Sequence, residues 1–306
     1  MFAAAKRVIV IGDVHGDIVR LFTCLRAAHI LNESNEWIAQ PPDTFVVQMG
    51  DQIDSKSREP ISDTTDWESV PDLALLSIMD ELDDMAIRHG GRVLSLLGNH
   101  ELMNLLGDFT YVSPYCMRMS GGAAARAEHI RTRCMDSLLK RFVILKIGKF
   151  LFCHAGILPQ HLNLVGENIN MLNDIFRDKL RGNPISPRNM HLLNDVVFAM
   201  SGLLWTREYM ELASSPDTAT TLTAYLSIVL RTTGCTTMFI GHNTQENTTI
   251  VANGSLIFTD ACFSRAYGKS KFQYIDISQD SLTVVEVKEQ ELPKNDIRNY
   301  TYDSMI

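Results

Sequence analysis

Five short apolar runs end abruptly, each in a cluster that pairs glycine with Asp, Asn or His. Val8-Ile9-Val10-Ile11 stops at Gly12-Asp13, and Thr44-Phe45-Val46-Val47-Gln48-Met49 stops at Gly50-Asp51. Val93-Leu94-Ser95-Leu96-Leu97 ends at Gly98-Asn99-His100, Phe150-Leu151-Phe152-Cys153 at His154-Ala155-Gly156, and Thr237-Met238-Phe239-Ile240 at Gly241-His242. Runs this short, rich in Val, Ile and Phe, predict buried strands. Each hands over at its carboxyl end to polar side chains, which is where open α/β sheets bind ligands. Glycine's wide backbone range suits the crowded turns that such a convergence needs.

Helical spacing fills several gaps. Residues 17–28 follow the first cluster with apolar positions at helical intervals, and 71–88 predict a second helix, with Pro71 suited to its first turn and Gly90-Gly91 to its end. Residues 123–139 and 218–230 predict two more, and 163–209 is mixed but mostly helical. Segments 118–139 and 163–209 are expected to cover the sheet. From 255 to 287 the period-two alternation returns and predicts antiparallel strands. Residues 55–71 are polar and acidic, an expected exposed loop, with 63–72 a solvated surface. No repeat or linker breaks the chain, so a single catalytic domain over 1–288 is expected, with a peripheral tail at 289–306.

Composition narrows the function. A chain of 306 residues that is 45% hydrophobic can bury a sizeable core. The 36 acidic residues outnumber the 28 basic ones, for a net charge of −8, which argues against a nucleic-acid scaffold. A phosphorylated substrate stays open, because bound metal ions can dominate a local field. No apolar run reaches membrane-spanning length, and Val8 to Ile11 is too short for a signal peptide. The six cysteines are scattered without a Cys-x-x-Cys pair, which predicts a reduced, cytoplasmic chain.

The strand-end residues carry the chemistry. Asp13 and His15 stand two apart, so both can face one side, while Asp51, Asn99, His100, His154 and His242 end the other runs. Carboxylate, imidazole and amide oxygen together suit Mn, Fe or Zn, and the lack of thiolates argues against a structural zinc site. The expected arrangement is two ions ~3.5–4 Å apart that share Asp51 and a bridging hydroxide. A leaving alkoxide then needs a proton. His100, beside Asn99, is the candidate donor, and Asp54 is a carboxylate able to orient it.

With those residues in view, Gly12-Asp13-Val14-His15-Gly16, Gly50-Asp51-Gln52-Ile53-Asp54, Gly98-Asn99-His100-Glu101, His154-Ala155-Gly156 and Gly241-His242 resemble the ordered motifs of the phosphoprotein phosphatase family. Further stretches, Gly98 through Asp108, Leu203-Leu204-Trp205-Thr206-Arg207 and Asp260 through Ala266, are similar to its bacterial-type, Shewanella-like branch. The resemblance spans residues 7–285. It implies an α/β fold of the calcineurin-like phosphoesterase type, a central β-sandwich flanked by helices in one domain. It implies one metal on Asp13, His15 and Asp51, and a second on Asp51, Asn99, His154 and His242. His100 would donate the proton, paired with Asp54. The implied activity is hydrolysis of phosphate monoesters, phosphoserine, phosphothreonine or phosphotyrosine in proteins.

The sequence also departs from the family pattern. The wider superfamily often carries a second metal-binding His where Thr244 stands, which fits the phosphoprotein phosphatase branch. The arginine expected after Asp54 is replaced by Ser55, followed by Lys56, and the one often found after Gly-Asp-Phe by Thr110. Arg207, with Asn99, is then the expected phosphate contact. Lys56, Arg58, Arg118 and Arg265 are weaker candidates, and lysine cannot reproduce arginine's two-pronged grip. His29, His89, His129, His161 and His191 lack motif context and are expected to be surface or satisfied core residues, as is Cys153. Two rival functions remain open: a hydrolase of dinucleoside polyphosphates or other small phosphate esters, and a pseudophosphatase that docks a partner. No regulatory subunit is indicated.

Overall fold

The computed structural model describes residues 1–55, 72–278 and 281–288. Expectations for Lys56, Arg58, Pro71, the rest of loop 56–71 and the tail 289–306 lie outside them. Among the described residues the strands are β1 (Arg7–Ile11), β2 (Thr44–Gln48), β3 (Arg92–Ser95), β4 (Ile144–Ile147), β5 (Phe150–Cys153), β6 (Thr237–Ile240), β7 (Thr249–Val251), β8 (Leu256–Phe258), β9 (Lys271–Ser278) and β10 (Ser281–Lys288). All five runs that end in polar clusters are strands. β4 and β7 were not foreseen: β4 hands over to no polar cluster, and β7 is only three residues long.

They form two sheets, in the orders β10-β9-β1-β2-β3 and β4-β5-β6-β8-β7. β1, β2 and β3 are parallel, as are β5, β6 and β8. The antiparallel expectation for 255–287 holds for β9 against both β1 and β10. For β8 it holds on one edge only: β8 is antiparallel to β7 but parallel to β6, because the chain reverses through β7 and re-enters the sheet in the direction of β6.

Alternation within the strands explains the packing. Val8, Val10, Val47, Leu94, Phe152, Phe239 and Ile257 belong to one core between the sheets. Their neighbours Ile9, Ile11, Val46 and Val93 face a second core under the helices of the first sheet. Leu151, Cys153, Met238 and Ile240 face a third, under the helices of the other. Burial on both faces is why these strands show as continuous apolar runs, and each buried Val, Leu, Ile or Phe contributes roughly 1.5–3 kcal/mol.

The helices follow the expected spacing. Asp17 caps α1 (Ile18–Ala27), its side chain accepting the Arg20 N–H at 3.1 Å. The next are α2 (Ala74–Arg88), α3 (Asn99–Leu105), α4 (Pro114–Met119) and α5 (Ala123–His129). The helix expected over 123–139 is present as a continuous helical path to Lys140, made of α5, a π-helical turn at Ile130–Cys134 and a helix over Met135–Lys140. Helices Pro159–Val165, Met171–Leu180, Pro187–Leu192, Glu208–Ala213 and Ala219–Thr233 pack on the second sheet. His161 is a satisfied core residue, its Nδ1 accepting the Leu158 N–H at 3.1 Å. No described helix is long and apolar enough to cross a membrane.

One surface expectation is overturned. Asp72, at the end of the acidic stretch, is buried, because a buried arginine draws it inward. Ser55, at the start of the same stretch, is buried too.

Candidate metal centre and active site

The carboxyl ends of β1, β2, β3, β5 and β6 meet at one point, and Asp51 occupies it. Its Oδ1 lies 3.4 Å from His154 Nε2 and accepts the His100 N–H at 3.0 Å. Its Oδ2 lies 3.7 Å from His100 Nε2 and 3.9 Å from His15 Nε2. All four residues are buried. Glu101 knits the turn, its carboxylate accepting the N–H groups of Gly98, Asp51, Gln52 and Ile53. The space is so tight that a Cβ on Gly98 would collide with the Asp51 carboxylate, which explains the glycine there. His15, Asp51, Asp54 and His242 adopt left-handed backbone angles, with φ of 44°, 50°, 60° and 60°. Such strain in non-glycine residues clusters at functional sites.

Each imidazole is anchored through one nitrogen. A main-chain carbonyl can only accept, so the ring nitrogen facing it carries the proton. His15 Nδ1 donates to Asp54 O at 3.1 Å, His154 Nδ1 to Met49 O at 2.8 Å, and His242 Nε2 to Trp205 O at 3.1 Å. The opposite nitrogens are thereby aimed inward. His154 Nε2 and His242 Nδ1 both point at Asn99 Oδ1, 3.0 and 2.9 Å away. Lone pairs facing lone pairs are satisfied only by a proton or a shared cation. Anchoring of this kind fixes the tautomer of metal-binding histidines.

The electrostatics agree. Burial and the neighbouring Asp260, then Asp51, push the Asp13 carboxyl well above its usual range. Burial opposes ionisation of Asp51 as well, but His154 and His100 hold it well below that range. Burial works against a charged His154 too, yet Asp51 and then Asp13 push it up to about 10. A buried imidazole this basic reports an excess of carboxylate charge. His242, by contrast, is pushed down to about 3 by burial and the facing His154. The residues therefore fit metal ions. A buried Asp13 Oδ1 without a hydrogen-bond partner adds a further ligand atom.

Two groups of ligand atoms lie within 4.8 Å of one another: His15, Asp51 and His100, and Asp51, His154 and His242. Asn99 adjoins the second. Asp13 falls outside both, its Oδ2 accepting the His242 N–H at 2.9 Å. Thr244, where the superfamily often has a ligand, donates its hydroxyl to Asp260 Oδ2 at 2.6 Å.

His100 and Asp54 meet as expected, with Nδ1 of the buried imidazole 2.9 Å from Asp54 Oδ2. The rest of that pair's surroundings was not foreseen. Asn104 Nδ2 donates to the same Oδ2 at 2.8 Å, and Arg126 Nη2 donates to Oδ1 at 3.2 Å. Burial raises the pKa of Asp54, opposed by the hydrogen bond and charge of His100 and by Arg126. Tyr111 packs on His100 with ring centroids 5.1 Å apart, and Trp205 approaches His242 at 6.2 Å.

The arginine candidates separate. Arg207 is exposed at the start of the helix Glu208–Ala213, beside His242, with Nη1 3.5 Å from Asn243 Oδ1. Arg265 is committed elsewhere: its Nε and Nη2 donate to the buried Asp17 carboxylate. Arg118 is exposed on α4. Thr110 caps its own turn through Asp108, at 3.0 and 2.6 Å, and so replaces no cationic contact.

Comparisons with known proteins agree with this geometry. The sequence pattern of the calcineurin-like phosphoesterase family matches residues 6–243. Shewanella-like protein phosphatase 2 of Arabidopsis thaliana is 24% identical over 92% of this chain and 77% of its own length. Shewanella-like protein phosphatase 1 of Plasmodium berghei is 30% identical over 55% of this chain and 42% of its own. Among solved structures, a cold-active protein tyrosine phosphatase superposes with a TM-score of 0.74, at 23% identity, over 95% of this chain and 80% of that one. The cold-active protein-tyrosine phosphatase of a psychrophilic Shewanella species gives 0.69 at 24% identity, over 94% and 82%. At these identities the structures speak to the fold, and the fold is the two-sheet sandwich described above.

Proposed function

The chain belongs to the calcineurin-like phosphoesterase family, a metal-dependent hydrolase of phosphoric monoesters, and on that footing we propose that its substrates are phosphorylated proteins and that two metal ions share Asp51. The observation that carries the reading is the set of inward-facing imidazole nitrogens around Asp51 and Asn99, each anchored through its other nitrogen.

Asp13, His15 and Asp51 would hold one ion, and Asp51, Asn99, His154 and His242 the other. Bound there, the ions supply an acidified water and positive charge against the phosphate oxygens. The remaining work belongs to the chain. Asp54 holds His100 Nδ1, leaving Nε2 directed at the centre to give its proton to the leaving oxygen. Arg207, at the rim beside His242, would grip the phosphate in two-pronged fashion, with Asn99 next to it.

Protein substrates are supported by the names of the relatives, which are protein phosphatases. The six cysteines are all buried and held as thiols, which supports a reducing, cytoplasmic setting. The net charge of −8 supports a protein rather than a nucleic-acid partner. Residues 1–288 would form the catalytic domain and 289–306 a tail.

With Mn²⁺ added, a phosphopeptide should be hydrolysed with a kcat/KM roughly 10²-fold above that for diadenosine tetraphosphate, the order of discrimination a shaped site gives. Preference for the tetraphosphate would replace this reading with the small-ester one. Inactivity on both, in protein that binds the phosphopeptide, would favour a docking protein.

A further inference from the structure

Arg126 is wholly buried on α5, and each part of its guanidinium is engaged. Nη1 and Nη2 donate to the two oxygens of Asp72 at 2.9 and 2.7 Å. Nη2 also donates to Asp54 Oδ1 at 3.2 Å, and Nε donates to Asn104 Oδ1 at 2.8 Å. The last bond settles how the Asn104 amide is turned, because an acceptor facing Nε leaves Nδ2 facing Asp54. That Nδ2 donates to Asp54 Oδ2, the same oxygen that receives His100 Nδ1. Arg126 therefore fixes Oδ1 of Asp54 directly and Oδ2 through Asn104. Asp72 completes the frame by accepting the Asp54 N–H at 3.0 Å, holding a residue whose φ of 60° is otherwise strained.

Charge points the same way. Asp54 and Asp72 against Arg126 leave one net negative charge, and His100 is the group that faces it. No other described arginine or lysine bonds to either carboxylate. The sequence has no arginine directly after Asp54, where Ser55 stands.

We infer that Arg126 is a positioning residue for proton donation: by clamping Asp54 from α5 it sets the direction in which His100 delivers its proton. The inference rests on the reading of His100 as the donor. In that step a water oxygen bonds to phosphorus as the P–O bond to the leaving group breaks, the leaving oxygen takes the proton from His100 Nε2, and the proton shed by the attacking water passes to solvent, which reprotonates His100. A loosened Asp54 would leave binding intact and misdirect the proton. Misplacement of this kind costs up to roughly 10²-fold. The loss should appear only where the leaving group needs a proton.

The test compares two leaving groups. Phenyl phosphate needs the proton far more than p-nitrophenyl phosphate, whose phenolate leaves unaided. In Arg126→Met, kcat for phenyl phosphate should fall about tenfold further than kcat for p-nitrophenyl phosphate, with KM within about threefold, a split that reports loss of a transition-state interaction. Removing a buried charge partner threatens folding, so Arg126→Lys is measured alongside. It keeps the charge but not the fork, and should fold and show the same split at smaller size. His100→Asn serves as reference and should show the largest split. Equal losses on both substrates in the folded Arg126→Lys protein, with the split present in His100→Asn, overturn the positioning role alone. No split in His100→Asn overturns the donor reading, and the inference falls with it.

Discussion

Replacing Asp51 with Asn should lower kcat/KM for p-nitrophenyl phosphate by ~10³-fold or more, a loss of about 4 kcal/mol in transition-state stabilisation. The change is nearly isosteric, so what is lost is charge and lone pairs. The Asp51 carboxylate lies near the inward nitrogens of His15, His100 and His154 alike. An amide there removes the negative charge that two cations would share and can turn N–H donors toward ring nitrogens that need an acceptor's complement. The backbone should tolerate the change. Asp51 has a φ of 50°, a region asparagine visits readily, and the N–H held by Glu101 is untouched. A thermal melt within a few degrees of wild type, with activity lost, is the expected pair of results. Activity within tenfold of wild type would remove Asp51 from the centre.

The second large effect is expected at His100. His100→Asn should lower kcat for a phosphoserine peptide by roughly 10²–10⁴-fold, the range that a positioned general acid supplies, and lower it less for p-nitrophenyl phosphate. Here the geometry sets a sharper question. His100 Nε2 lies 3.7 Å from Asp51 and groups with His15 as a possible ligand, while Asp13 is not in that group. As a donor, His100 can be removed without loss of metal. As a ligand, its removal empties a site. The metal content of His100→Asn should match wild type, because Asp13, with a buried oxygen that lacks a hydrogen-bond partner, would complete the first site. A loss of one ion per chain would reverse the two assignments.

Much of this was legible in the sequence, and the reasons are local. A strand buried on both faces leaves a continuous apolar run, and the abrupt polar cluster at its end marks the edge of the sheet. Hence β1, β2, β3, β5 and β6, and the residues they deliver, could be placed without the fold. Gly98 and Gly241 were legible as well, since glycine has no Cβ to collide with Asp51 or Asp13. β4 and β7 were not, because pairing to a neighbour leaves no mark on so short a run.

The support of His100, the proposed proton donor, was hidden for a different reason. Arg126 bonds to residues 54 and 72 positions away in the chain, and nothing in the local pattern encodes such a pairing. Asp72 looked like a solvated acid because its neighbours are acidic, yet a buried guanidinium outweighs them. The one signal for Arg126 was an arginine set among glycines and alanines, at 121–127, where small neighbours allow close approach. Arg265 shows the opposite error: its motif context suggested substrate contact, while its bonds hold Asp17 and thus the start of α1.

The proposed core of the site is a pair of ions joined by Asp51. It is tested most directly by metal content after equilibration with Mn²⁺ and removal of unbound ions. Two ions per chain are expected in wild type and in His100→Asn, and fewer than one in Asp51→Asn. Two ions retained by Asp51→Asn, or none held by wild type, would contradict it.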